Sequence, residues 1–500
     1  MGTQRGGADF SGKTLAEPRS RPSRLLNWRR RGARLKSPWP PPQETPVTSA
    51  PAARMQARVF TTGSLMRHVA VMTATGSIGL VAIFAVDVIS LFWVSRLGVQ
   101  SYKAAIGYAS QLSFVLMSIN IGLTIALSAT VSRALGAGDR ARARRLAGSG
   151  LVIAGLVTTA LSLGLWIFRD DALARLMHAQ EPAASVASGL LAIIIPANIP
   201  MGLGMALSGV LRATGDARRA MYITLSGGIV TLFTDPLLIF GVGLGVYGAA
   251  WATVISRLVF LAVGLHGAVR VHDLVGVPTA AGVRRDFTPI MGIGLPAIMS
   301  NLATPVAAVY VTRVWSDFGV ATVAGGAIVD RMIPLAFGVI FALTGSIGPI
   351  IGQNFGARMM DRVRRALSDA FVLAVGYALL AWASLAAAAP WIAALFDAHG
   401  ESADFVLLFC RYGASAWVFV TCLFVANTAF NNLGFPLLAM IFNWGRATLG
   451  TIPFVTVGAH WGGVEGALLG LVLGSSIFGI AGVAIAYGVV ARLARRLKIA

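Results

Sequence analysis

Charge is what this sequence has least of. Only 12% of its 500 residues are charged, and Asp and Glu together number 20, whereas soluble domains carry about 25% charged residues. With 56% hydrophobic residues and a mean hydropathy of +0.74, a water-soluble globular enzyme is excluded. Cysteine is nearly absent too. Cys410 and Cys422 stand 12 residues apart in one apolar segment, roughly 18 Å along a helix, so they cannot bridge each other. The six histidines fall at the ends of apolar segments or in the joints between them. No Ser/His/Asp set, HExxH or glycine-rich catalytic loop lies in any segment, so an intramembrane enzyme or a receptor-like protein is the weakest of the readings. No cofactor is expected.

The charge that is present is one-sided: 41 Lys and Arg against 20 acids give +21. In a soluble chain that excess would suggest nucleic acid; in a membrane chain it marks basic cytoplasmic joints. Residues 1–54 are Arg- and Pro-rich, with 11 basic and 3 acidic residues, and read as a disordered tail. Met55 opens the ordinary part of the sequence, and a natural start there is a second reading. Arg29-Arg30-Arg31 is followed by prolines rather than an apolar core, so it is not an export signal. Gly7-x-x-x-x-Gly12-Lys13-Thr14 satisfies the phosphate-loop spacing but lacks the preceding strand and following helix that hold a phosphate. Gly243-x-Gly245-x-x-Gly248 mimics a dinucleotide fingerprint between two apolar segments, where tight turning and close helix packing explain the glycines better.

From Arg67 onward, apolar stretches of transmembrane length alternate with short polar joints. Twelve spans are expected: 68–95, 103–131, 146–168, 184–210, 220–241, 247–270, 288–314, 321–352, 366–390, 404–430, 437–458 and 463–491. The joints are too short for a soluble domain, so the spans themselves carry the function. With the N-terminus placed in the cytoplasm, 21 Lys and Arg after Met55 fall in cytoplasmic joints and 5 outside, which puts both termini inside.

The two halves repeat. Leu135-Gly136-Ala137 with Arg142, Arg144 and Arg145 matches Phe355-Gly356-Ala357 with Arg362, Arg364 and Arg365 at an offset of 220. Gly215 and Met221 match Gly434 and Met440 at 219, and Gly245 and Gly248 match Gly463 and Gly466 at 218. Thr231-Leu232-x-Thr234-x-Pro236 matches Thr448-Leu449-x-Thr451-x-Pro453 at 217. Four ordered matches indicate duplication, and six spans per unit make the repeats parallel, around a shared cavity. The resulting fold class is all-α and polytopic, with twelve helices as 6+6: an N-lobe over 64–286 and a C-lobe over 287–495.

Ionisable groups inside spans are costly and therefore candidates for function. Asp87 lies roughly 28 Å up span 1 and Asp235 roughly 22 Å up span 5 at 1.5 Å per residue. Thr231 shares the helix face of Asp235, and Thr253 lies near the same depth in span 6. Two carboxylates and two hydroxyls suit a small cation, or a proton shared between carboxylates. Local hydrogen bonding is the alternative, above all for the threonines. In the C-lobe, Asp330 and Arg331 sit together in span 8, with Arg411 and Arg446 as available neighbours; a structural ion pair and a substrate contact are equally open. Pro196-x-Asn198-x-Pro200 should break or bend span 4, and Pro296 and Pro305 span 7, freeing carbonyls to line a cavity.

These residues resemble the MATE (multidrug and toxic compound extrusion) transporters over about 64–495. The resemblance is carried by Asp87 with Val94-Ser95-Arg96-Leu97-Gly98, by Leu135-Gly136-Ala137-Gly138-Asp139 and by Leu211-Arg212-Ala213-Thr214-Gly215-Asp216. Asp235-Pro236-Leu237-Leu238-Ile239-Phe240 and Gly245-x-x-Gly248-Ala249-Ala250-x-Ala252-Thr253 complete it. It implies a secondary antiporter of the inner membrane, a monomer that expels cationic amphiphilic compounds in exchange for Na⁺ or H⁺. The aspartates of spans 1 and 5 are similar to those of the DinF-like prokaryotic branch, whose coupling-ion role passes to Asp87, Asp235 and Thr253. Thr231 and Ser208 stand where that branch commonly has Asn, which removes amide oxygens and favours H⁺ over Na⁺. A flippase for lipid-linked precursors, with more cationic cavity residues and typically more than twelve spans, is the alternative transport reading.

Overall fold

The computed structural model describes residues 56–499, so the tail and its phosphate-loop look-alike lie outside the described residues. Long apolar runs leave the backbone no partner but itself, and every described element is accordingly helical. Spans 1 to 3 are Leu65–Ser95, Gln100–Gly136 and Arg140–Ile167. Span 4 is Ala183–Ile194 followed by Asn198–Thr214, bent by 51° at the expected Pro-Asn-Pro break. Spans 5 and 6 are Ala217–Pro236 and Val246–Leu265, each ending in a wide turn, Leu237–Gly241 and His266–Val271. Spans 7 to 9 are Ala280–Asp317, Val320–Gly356 and Met360–Leu395. Span 10 is Glu401–Arg411 with Ala416–Leu433. Span 11 starts as Pro436–Ala447 and resumes at Ile452, and span 12 continues to Ile499 after non-helical backbone at Gly462 and Gly463. The twelve spans form as expected. Span 7 runs through Pro296 and Pro305 as one helix without a break, because a proline removes one ladder donor without obliging the helix to stop.

The sequence repeats do not coincide with the packing units. Leu65, Val69 and Met72 of span 1 are buried in the apolar cluster of spans 8 to 10, while Ile290, Ile293 and Ile298 of span 7 are buried in that of spans 2 to 4. Each repeat thus packs one end of its first helix into the other, while the far ends, at Val94 and at Val314 and Trp315, stay in the clusters of their own repeats. Between apolar helices in lipid, association rests on close packing of small residues. In span 12, Gly466, Gly470 and Gly474 form a groove one turn apart; a Cβ at any of them would overlap the carbonyls of Gly458, Phe454 and Gly450 of span 11.

The tightest contact between repeats lies at the arginine-rich ends of spans 2 and 8. A Cβ at Gly136 would overlap the Gln353 carbonyl, one at Gly356 the Arg133 carbonyl, and one at Gly352 the Ser132 hydroxyl. Positions 132, 133 and 136 are the repeat partners of 352, 353 and 356, so the contact is self-complementary about the pseudo-twofold axis. Side-chain amides complete it. Gln353 Nε2 donates to the Ala213 carbonyl (2.8 Å), and its Oε1 accepts from the Phe60 N–H (3.1 Å). Asn354 and Arg362 donate to the Phe60 carbonyl at 3.0 Å each, tying the segment Gln56–Thr61 across the seam.

The joints at this face explain the Gly-Asp pairs of the sequence. Gly138 (φ 82°) and Gly215 (φ 92°) end their helices in the left-handed region, and Asp139 and Asp216 then cap the next helix by accepting from the N–H of Arg142 (2.8 Å) and Arg219 (3.0 Å). The second copy puts Arg358 (φ 59°) and Met359 in the place of Gly138 and Asp139, keeping the left-handed turn without its glycine and losing the side-chain cap. Asp216 also meets His272 at 2.8 Å and the Arg219 guanidinium. Burial alone would raise its carboxyl, but these hydrogen bonds hold it below the usual carboxylate range. Arg145 pairs with the buried Asp286 at 3.1 Å, joining spans 3 and 7.

Gly136→Ala should therefore lower thermal stability in detergent by about 1–3 kcal/mol. Gly107→Ala, in the same helix with nothing within 4 Å of the added methyl, should lower it not at all. Equal midpoints for the two variants would mean that the span 2–span 8 contact yields freely.

Candidate functional site

Among the described residues Asp235 is the most deeply buried acid, 1% exposed in the last turn of span 5, just before Pro236. Its Oδ2 accepts a hydrogen bond from the Ser90 hydroxyl of span 1, and its Oδ1 is buried without a partner. Ser90 follows Asp87 by three residues on the same helix, which sets the two one turn apart on one face. The Asp87 side chain itself lies outside the described residues. Thr231 and Thr253 flank the site without touching it: their hydroxyls donate to their own helices, to the carbonyls of Gly227 (3.1 Å) and Ala249 (3.0 Å). Gly227 accepts a second hydrogen bond from Ser256 of span 6 (2.8 Å). The chemistry available is that of a buried carboxylate with one free oxygen: it can take up a proton, or be neutralised by a small cation.

Asn198 belongs to a closed network below the span 4 break. Its Oδ1 accepts from Asn120 Nδ2 (2.9 Å), its Nδ2 donates to Ser162 (3.1 Å), and Thr158 donates to Asn120 Oδ1 (3.2 Å). At 4% exposure with both amide ends satisfied it holds spans 2, 3 and 4 together. Asp330 and Arg331 do not make the expected structural ion pair. Both are exposed on span 8, and neither pairs with Arg411 or Arg446. The flanking Val329 and Met332 are the buried positions, so the charged edge of the helix is turned out of the packed core, where the second reading, a substrate contact, stays open.

Two residues were missed. Ser90 offered no signal beyond standing one turn from Asp87. Arg257 stood in plain sight as a cation inside span 6; it donates to the Ile194 carbonyl (3.0 Å), satisfying backbone that the span 4 break releases.

Comparison with known proteins decides the family. The MatE family model matches twice, over residues 77–237 and 296–457, once in each repeat. The chain belongs to the MATE family. A "FAD transporter" of Shewanella oneidensis is 27% identical over 421 residues, covering 82% of this chain and 92% of that protein. The "Probable multidrug resistance protein NorM" of Thermotoga maritima is 24% identical over 297 residues, 56% of this chain and 61% of that one. Among solved structures, a point mutant of the Vibrio cholerae MATE transporter VcmN superposes with a TM-score of 0.81 at 25% identity, covering 86% of this chain and 97% of that one. A MOP superfamily transporter from Pyrococcus furiosus does so at 0.82 and 22% identity, covering 89% and 99%. This MATE protein is a multi-pass membrane transporter that moves small compounds, and it is not an enzyme.

Asn198→Ala leaves two buried polar partners, Asn120 and Ser162, short and should cost about 1–3 kcal/mol of stability while leaving the spectrum of exported compounds unchanged. A changed spectrum at full thermal stability would put Asn198 in the cavity instead.

Proposed function

We propose that this MATE transporter exports cationic amphiphilic organic compounds in exchange for protons, and that Asp235 with Asp87 takes up the proton. The unpartnered Oδ1 of Asp235 carries the reading: a buried carboxylate that a single hydroxyl serves is neutralised most simply by a proton. A Na⁺ site gathers several oxygens around the ion, and here the neighbouring threonine hydroxyls are turned to their own helices. The multidrug resistance relatives support the drug class of substrate. Placing the arginine-rich face, the span 2–span 8 contact and both termini in the cytoplasm of a cell whose inner membrane houses the protein follows the excess of basic joints on that side. The flippase alternative expects more than twelve spans; twelve form among the described residues.

Exchange requires that the protonated and ionised forms favour different arrangements of the lobes. Neutralising Asp235 removes the charge for which span 1 supplies Ser90, which loosens the hold of span 1 on span 5. Span 1 also packs into the cluster of spans 8 to 10, so its shift reaches the span 2–span 8 seal.

Ethidium export from proteoliposomes should follow an imposed pH gradient and ignore a sodium gradient. Asp235→Asn should reduce proton-driven export by about tenfold or more, the scale of a coupling free energy of about 1–3 kcal/mol. Full proton-driven export in that variant would overturn the assignment.

A further inference from the structure

The second lobe holds a buried charge of the opposite sign. Arg446, in the last turn of the first part of span 11, is 7% exposed, and its Nε is buried without a hydrogen-bond partner. None of the ion pairs among the described residues includes it. A guanidinium cannot shed its proton to escape burial, and an uncompensated buried cation is strongly unfavourable. Its surroundings are polar and organised. Asn443, one turn earlier on the same face, accepts from Asn427 Nδ2 of span 10 (2.9 Å) and donates to the Ser300 hydroxyl of span 7 (2.5 Å). Asn427 Oδ1 remains without a donor, as does Oδ1 of Asn431, one turn further along span 10. Immediately after Arg446 the helix opens, with Thr451 Oγ1 donating to the Arg446 carbonyl at 2.9 Å.

The first repeat has nothing like it. The positions 217 to 219 residues earlier are Gly227, Gly228 and Ile229. Conversely, Ile452 stands where Asp235 stands in the first repeat. One lobe therefore buries an anion and the other a cation, on equivalent helices. Arg446 Nε lacks an acceptor and the oxygens of Asn427 and Asn431 lack donors, and Asn443, one turn from Arg446 and bonded to Asn427, links the helices that carry them; an oxyanion would suit the guanidinium fork, and a hydroxyl or amide N–H on the same compound the asparagine oxygens.

We propose that Arg446, with the free oxygen of Asn427, forms an oxyanion-binding site in the second lobe that takes a carboxylate or phosphate group of a transported compound, Asn443 holding Asn427 in place. This extends the substrates from cations to zwitterions and anions. It rests on the chain being a transporter and is independent of the proton assignment at Asp235.

The test is the unfolding midpoint of the full-length detergent-purified protein titrated with sodium phosphate or sodium acetate, against sodium chloride of equal ionic strength. Phosphate, acetate or both should raise the wild-type midpoint beyond chloride; the effective anion identifies the group. The extra shift should vanish in Arg446→Met, whose apolar side chain can occupy the buried space. Arg446→Lys should weaken the apparent affinity by about tenfold, the size of one lost charge-assisted hydrogen bond, and decides the matter should Arg446→Met fail to fold. An equal shift in wild type and variant, or no shift with either anion, overturns the proposal. Proton-driven ethidium export, measured on the same preparations, reports on the exchange reading alone.

Discussion

The contact of spans 2 and 8 at their arginine-rich ends is the constraint on which the rest of the molecule depends. Two helices approach there to backbone distance because each places glycine where the other places a carbonyl, and duplication makes the fit mutual. In lipid no hydrophobic force drives helices together, so such a contact has to be built from shape and hydrogen bonds. Here both are present, the second through Gln353, Asn354 and Arg362. A seal of this kind holds at full contact and is lost quickly with separation, as an access gate requires.

The exchange of first helices between repeats gives this seal its connection to the proposed proton site. Span 1 is buried by one end in the cluster of spans 8 to 10 and tied by the other to span 5 through Ser90 and Asp235. A change at the carboxylate therefore acts on a rigid element that already belongs to both lobes. The buried ion pair Arg145–Asp286 fixes the other exchanged helix, span 7, to span 3 at the basic face. With a carboxylate in one lobe and an arginine in the other, the duplicated fold has kept its geometry and diverged in charge.

The fold was legible because apolar length, basic joints and the repeat all point to one arrangement. Span boundaries, the span 4 break at Pro196-x-Asn198-x-Pro200 and the Gly-Asp joints followed from local rules that tertiary contacts do not override. Packing partners were not legible: periodicity places a residue on a face without saying which helix the face meets, so the exchange of spans 1 and 7 went unseen. The site was readable at Asp235, where a charge in a span has few explanations. At Thr231 and Thr253 both readings were open in the sequence, since a hydroxyl chooses between ligand and own-helix carbonyl by a small rotation. At Asp330 the sequence left two readings open for a related reason, since periodicity does not say what a charge on a span edge faces. The GxxxGxxxG of Gly466, Gly470 and Gly474 was open to reading and shows how much of the packing specificity resides in small residues.

The central claim is that the charge of Asp235 governs the seal at the opposite end of span 1. It is tested most directly by maleimide labelling of Ser132→Cys, a position 0% exposed within the seal, in membranes carrying Cys410→Ala and Cys422→Ala. Compared between acid and alkaline pH, with and without Asp235→Asn, the labelling rate should carry a pH dependence beyond that of the thiol's own ionisation only where Asp235 is intact. The same pH dependence in both backgrounds would contradict the account.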